Sequence, residues 1–407
     1  QIAAAGVLVG GALTTGVGKA VSVFADFEQG MSAVKAASGA TNAEMAQLSA
    51  TALQLGQSTQ LAGIDATDAA TAMTALAKGG VEVAQMAGAA NGALLLASAG
   101  EISVGEAADT AVKAMTIFNL TGNEVGHVAD VISAGANKSA TDVAQLNSAF
   151  NQSAAVAKDA GLSLEELTGT LALLAQSGLQ GSDAGTALRT TLQRMTGPTE
   201  VAKNLMEELG INIFDASGKM RPFPDIVDNL KSAFAGLTDE QRGAALQTIA
   251  GADAVRVFLP LIRQGGGAVR EWTAAVNDQG FAARTGAALN DNLAGSIDQL
   301  GANFQTAAIQ IGGKFAPVVR QAADELAEFV TSLSENKEVA AFFDDLAKNA
   351  STALTAIIAK LKDPAFQTSL KEWGQAALDV GRTIVSLAGD VASTLGPPLR
   401  EAVGWFS

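Results

Sequence analysis

No proline occurs before Pro198, so nearly half of this 407-residue chain carries no obligatory helix break. Proline removes a backbone donor and clashes with the turn before it. Without it, every residue of the run is open to helix, and the run is rich in Ala and Leu, which favour helix most. Glycine divides the run instead. Gly79-Gly80, Gly100, Gly122, Gly161, Gly178, Gly210 and Gly236 stand where helices commonly end in a left-handed residue. The starts are marked too: Thr41/Glu44, Ser103/Glu106, Thr121/Glu124, Ser163/Glu166 and Thr238/Gln241 have the spacing of capping boxes. Helices of about 12 to 20 residues fit between these marks, and Leu164, Leu167, Leu171 and Leu174 form a one-faced stripe. The punctuation predicts an all-α fold of successive helical hairpins packed as a bundle, not one long rod. Units starting near Asp65, Ser103, Ser139 and Ser163 share a cap, an Ala/Leu helix and a Gly, the outline of a degenerate repeat.

Residues 211–223, INIFDASGKMRPF, depart from this pattern. β-prone residues flank a turn signature that includes Asp215 and Gly218, and Pro222 and Pro224 follow, which predicts one short β-hairpin. Gly265-Gly266-Gly267 marks a boundary. Beyond it, Phe366, Leu370, Trp373, Ala377, Val380, Ile384, Leu387 and Val391 keep a strict heptad, as do residues 339–357, with Pro364 between them. Such seams serve an intramolecular hairpin or self-association equally well. Three regions result: an apolar helix over 1–24, a helical core over 25–264, and longer coiled-coil-like helices over 265–407. The chain opens inside an apolar stretch without Met and stops just after Trp405-Phe406, which reads as a window of a longer protein.

Composition narrows the chemistry. The chain has 43 Gly and 83 Ala, no Cys, no Tyr and a single His, His127. A zinc site or a disulfide framework cannot be assembled from these within one chain. The net charge of −15 disfavours tight duplex binding through counterion release, so no specific nucleic-acid binding is expected. The Gly18-Lys19, Gly218-Lys219 and Gly313-Lys314 pairs lack the rest of a phosphate loop, and no Ser sits in a Gly-x-Ser-x-Gly elbow. Adjacent carboxylates such as Glu165-Glu166 point in different directions on a helix. No enzyme site, metal or cofactor is expected, and His127 reads as a solvated or hydrogen-bonded structural residue. Two charge-free stretches remain. Residues 1–18 carry small residues at Gly6, Gly10, Ala12 and Gly16, with Ala20 following, and residues 83–100 repeat the device at Ala84, Gly88 and Gly92. Either a membrane-active helix or a helix buried in an Ala-rich bundle has this composition.

The run from Gly178 through Gly181, Gly185, Thr186 and Leu188 to Arg189, followed by Pro198, resembles the central signature of phage tail tape-measure proteins. Residues 209–222, with Asp215 and Gly218, resemble the same family's hairpin. Upstream, Phe27-Glu28, Val34, residues 53–56, residues 70–79 and residues 106–109 fit in order, so the resemblance covers roughly residues 24–260. Within it, Gly181 and Gly185 allow a tight turn and close packing, and Thr186 can bond locally to backbone. The resemblance implies a virion protein, lying in several copies inside the tail tube and tail tip, that sets tail length and takes part in genome ejection. It implies as partners the tail tube protein, distal tail and baseplate hub proteins and tail assembly chaperones, and a homo-oligomer, trimer or hexamer. A membrane-inserting channel for DNA across the host envelope is the alternative reading, and a wall hydrolase the most remote. A helical ruler lengthens by about 1.5 Å per residue, and a window with this many Gly breaks is expected to be a compact region near one end of the tape.

Overall fold

The structure, a computed structural model, describes residues 2–61 and 63–335. Its helices, in order, are α1 (Ile2–Ser38), α2 (Asn42–Leu55), α3 (Ala66–Lys78), α4 (Met86–Gly100), α5 (Val104–Phe118), α6 (Val125–Asn137), α7 (Val143–Asp159) and α8 (Leu164–Gln176). They continue with α9 (Gly181–Thr196), α10 (Glu200–Glu208), α11 (Phe223–Phe234), α12 (Asp239–Gln264), α13 (Gly266–Val276), α14 (Phe281–Asn290) and α15 (Leu293–Glu335). Among the described residues there is no β-strand, and the fold is all-α.

Local chemistry sets these limits. Thr41 with Glu44, Ser163 with Glu166 and Thr238 with Gln241 bond reciprocally across the first turns of α2, α8 and α12. Thr121 and Glu124 do the same at the short 3-10 turn before α6. Ser103 accepts the Glu106 N–H at 3.2 Å. Asp65 and Asp68 close a further box at α3, with Asp in place of Glu at the third position. Ser139 caps nothing: its hydroxyl donates back to the Gly135 carbonyl at 2.6 Å, and Asp142 opens α7. Gly80, Gly161, Gly178 and Gly210 take positive φ past the helix ends. Gly100 and Gly122 do not, since the left-handed residues there are Glu101 and Asn119. Gly100 is needed for proximity instead, because a Cβ on it would lie 2.9 Å from the Val143 side chain of α7. Within α12, Gly251 at φ 77 kinks the helix.

Each helix from α3 to α9 packs on the helix two places along as well as on its neighbour, which gives two rows. One row holds α3, α5, α7 and α9 and is extended by α12; the other holds α4, α6 and α8. The chain then doubles back, laying α13 over α8 and α6 and α14 over α6 and α4. The α4–α6–α8 row is therefore covered on both faces. This explains residues 83–100: a helix apolar all round is a buried one, and Leu94, Leu96, Ala89, Ala90 and Ala93 of α4 have no exposed surface. The small-residue spacing is not its contact line, because Ala84 and Gly88 are exposed. Only Gly92 of that set meets another helix, where a Cβ would lie 2.6 Å from the Gly126 nitrogen of α6.

Asp130 fastens the returning layer. It is 8% exposed and accepts the N–H groups of Gly280 (2.7 Å) and Ala282 (3.0 Å), so a side chain of α6 caps α14. Beside it, Lys138 donates to the Ala275 carbonyl at 2.8 Å and pairs with Asp278 at 2.7 Å, and Arg284 pairs with Asp278 at 2.5 Å.

The chain forms two compact units, one from Asp26 to Thr306 and another that contains α1 up to Ala25 and α15 from Ala307. Gly265-Gly266-Gly267 lies inside the first, not at an edge. Gly265 takes φ +84, and a Cβ on Gly266 would overlap the Pro224 carbonyl of α11. Asp228 accepts the Gly266 N–H at 2.7 Å, while Arg270 spans Asp225 (2.5 Å) and Asp228 (2.9 Å). The 211–223 segment closes its turn but not a hairpin of strands. Pairing stops at a single antiparallel bridge, Phe214 to Met220. Pro222 lacks an N–H and α11 begins at Phe223, so the ladder cannot lengthen. Ile211 and Ile213, β-prone by type, are instead buried anchors at 5% and 4% exposure.

Candidate functional site

The signature from Gly178 to Arg189 links α8 to α9 and continues along α9. Gly178 at φ +81 ends α8 and Gly181 at φ +62 opens α9. Between them, the Gln180 amide donates to the Ala140 carbonyl in the loop before α7. Gly185 faces α7 so closely that a Cβ would lie 2.7 Å from the Ala149 Cα and overlap its carbonyl oxygen. Ala184, Ala187 and Leu188 are buried around it. The signature thus lets α9 rest against the bare backbone of α7, an extensive helix pairing within the unit from Asp26 to Thr306. Thr186 is exposed, and its carbonyl accepts the Thr190 hydroxyl at 2.9 Å. Arg189 is half-buried, and Pro198 follows the end of α9 at Gly197, just before the Thr199 cap of α10. Asp215 accepts from the Ser217 N–H (2.9 Å), the Ser217 hydroxyl (2.6 Å) and the Lys219 N–H (3.0 Å), while Gly218 supplies the positive φ of that turn.

His127 of α6 meets Glu165 of α8 at 2.6 Å, and the Ser163 hydroxyl donates to the other oxygen of Glu165 at 2.7 Å. The carboxylate is the centre of this trio, so the imidazole has no contact with the hydroxyl and cannot activate it. Burial works to raise the Glu165 pKa, and the bonds from Ser163 and His127 outweigh it, leaving the carboxyl below the usual range. Asp228 is held low by Arg270, and Asp278 by Lys138 and Arg284. Such groups bind a proton more weakly folded than unfolded. Their stabilisation is therefore complete above about pH 5 and is lost as pH falls through the folded values. Asp68, raised by burial, acts in the opposite sense and softens the loss. Thermal melts should accordingly be flat between about pH 7 and 5 and fall below about pH 4, with a shallower fall in Glu165→Gln; a melting temperature that rises on acidification would contradict this.

Among the described residues no group of three or more His, Cys, Asp or Glu is placed to hold a metal ion. No helix among them is long and apolar enough to cross a membrane. Gly6, Gly10, Ala12 and Gly16 lie in α1. Ala20 is 6% exposed, and its carbonyl meets Gly312 of α15 so closely that a Cβ there would overlap it. The seam of Phe366, Leu370, Trp373, Val380, Ile384, Leu387 and Val391, and that of residues 339–357, lie outside the described residues.

One apolar feature was not singled out by motif. Leu293, Ile297, Leu300 and Phe304 of α15 are 77%, 59%, 55% and 67% exposed. Their spacing of 4, 3 and 4 was readable, but Gly295, Gly301, Gly312, Gly313 and Pro317 punctuate the same stretch and argue against one continuous helix.

These features describe an all-α protein in which glycine and alanine bring helices together. The model of the phage-related minor tail protein family matches residues 49–251. The tape measure protein of Pneumococcus phage Dp-1 is 35% identical over 318 residues, covering 76% of this chain and 27% of that protein. The probable tape measure protein of Escherichia phage P2 is 30% identical over 368 residues, covering 88% of this chain and 45% of that protein. No solved structure matches. This is a phage tail protein. Within that class, the chain belongs to the tape-measure family, and it spans less than half the length of each of these relatives.

Proposed function

We propose that this chain is a folded segment of a tape-measure protein that occupies the interior of the tail tube or the tail tip, acts in setting tail length and takes part in genome ejection. The observation that carries the reading is the extent of the likeness: two tape-measure proteins align over 76% and 88% of the chain. The role is structural. Its partners are the tail tube protein, the distal tail and baseplate hub proteins and the tail assembly chaperones, and it self-associates as a trimer or hexamer. A tape meters distance as continuous helix, about 1.5 Å per residue. Residues 26–306 are instead stacked in short helices, so their residue count does not translate into length. We therefore assign this unit a fixed place at one end of the tape. A cryo-EM map of assembled tails tests the assignment. Density for the layered α3–α14 unit at the end of the tube lumen, against distal tail proteins, is the expected result; tails that lack this segment would overturn it.

A further inference from the structure

From the exposed face of α15 we infer that Leu293, Ile297, Leu300 and Phe304 form a seam through which copies of this chain associate in parallel. The inference rests on the self-association proposed above and names its surface. Ile297 and Phe304 are seven residues apart, as are Leu293 and Leu300, and Ile311 follows Phe304 by seven, so the bulky residues fill the two core columns of a heptad. The opposite face of α15 is used by its own unit, where Ala302 and Thr306 are 4% and 0% exposed and the Thr306 hydroxyl donates to the Gly56 carbonyl at 3.3 Å. Over residues 293–306 the helix thus turns small residues inward and its large apolar ones outward, the reverse of a surface helix in a self-sufficient fold.

The charge pattern selects a second copy as the occupant. Copies of a chain with net charge −15 repel one another unless they meet where charge is absent. The positions flanking the two columns, 294, 296, 301, 303, 308 and 310, are Ala, Ser, Gly, Asn, Ala and Gln. Asp298, the one ionisable residue between 293 and 311, faces its own unit, 3.4 Å from where a Cβ on Gly63 would lie. An uncharged, self-matching stripe is what two identical acidic chains can share. A basic or acidic partner would find nothing there to pair with.

The absence of cysteine makes a direct test available in the full chain. Leu300→Cys should yield a disulfide-linked dimer on mild oxidation, whereas Gln305→Cys, exposed on α15 but off the seam, should not. By sedimentation the parent chain should associate at micromolar concentration, and Phe304→Glu should weaken that association at least about tenfold while leaving the melting temperature unchanged. Association that persists in Phe304→Glu, without cross-linking of Leu300→Cys, would overturn this seam and leave self-association itself standing. A chain that stays monomeric throughout would overturn both. Should Phe304→Glu fail to fold, the cysteine pair still decides between the outcomes.

Discussion

Replacing Gly185 with leucine is expected to cost about 3 kcal/mol of stability or more, at the upper end of overpacking penalties. The site offers no relief. The atoms a side chain would meet are the carbonyl, Cα and C of Ala149, all backbone of α7, so accommodation requires α7 and α9 to separate. Flexible side chains can move aside, but a packed helix cannot do so without losing the buried neighbours Ala184, Ala187 and Leu188. Gly88→Ala is the matching control. Gly88 lies exposed within α4 with nothing near its missing Cβ, so the change should stabilise by up to about 1 kcal/mol through helix propensity. Urea unfolding of both variants measures the contrast. Equal effects would mean that the α7–α9 approach is not what the glycine serves.

Phe150→Ala should cost about 3–5 kcal/mol. Phe150 is 1% exposed, and its ring centroid lies 5.9 Å from that of Phe118 at the end of α5. Neighbouring residues of α7 therefore face opposite ways along the row: Ala149 serves α9 and Phe150 serves α5. Removing the ring opens a cavity beside Phe118 in the buried contact between α5 and α7. Calorimetric or denaturant unfolding gives the value, and a loss below about 1 kcal/mol would show that the helices collapse around the gap.

These sites differ in how far the sequence discloses them. The starts of α2, α8 and α12 were legible because a cap is a bond between residues three apart, and Thr41 with Glu44 needs nothing beyond its own turn. The stop at Gly178 was legible for the same reason, since positive φ is a local demand. Gly185 carries no such local mark. Its requirement comes from Ala149, on another helix, and only a resemblance to related chains drew attention to it. Three glycines misled: Gly100 and Gly122 by one and three residues, at Glu101 and Asn119, because a left-handed end can be made without glycine, and Gly236, where α11 ends with no left-handed residue. Residues 83–100 could not be resolved from sequence, since a bilayer and a layer of helices on both sides demand the same apolar surface. Ile211 and Ile213 suggested strands, but their type reflected burial at the foot of a turn. The stripe at Leu293, Ile297, Leu300 and Phe304 was hidden by the glycines and proline that α15 absorbs without breaking.

The central claim is that residues 26–306 are a folded block of a tape-measure protein and not a stretch of its ruler. Tail length is the most direct readout. An in-frame deletion within residues 40–260, for example of residues 163–197 with α8 and α9, removes helices from both rows. It should abolish tail assembly or infection in phage carrying the altered gene, as seen by electron microscopy and plaque formation. Viable phage whose tails are shorter by about 1.5 Å for each residue removed would contradict the account.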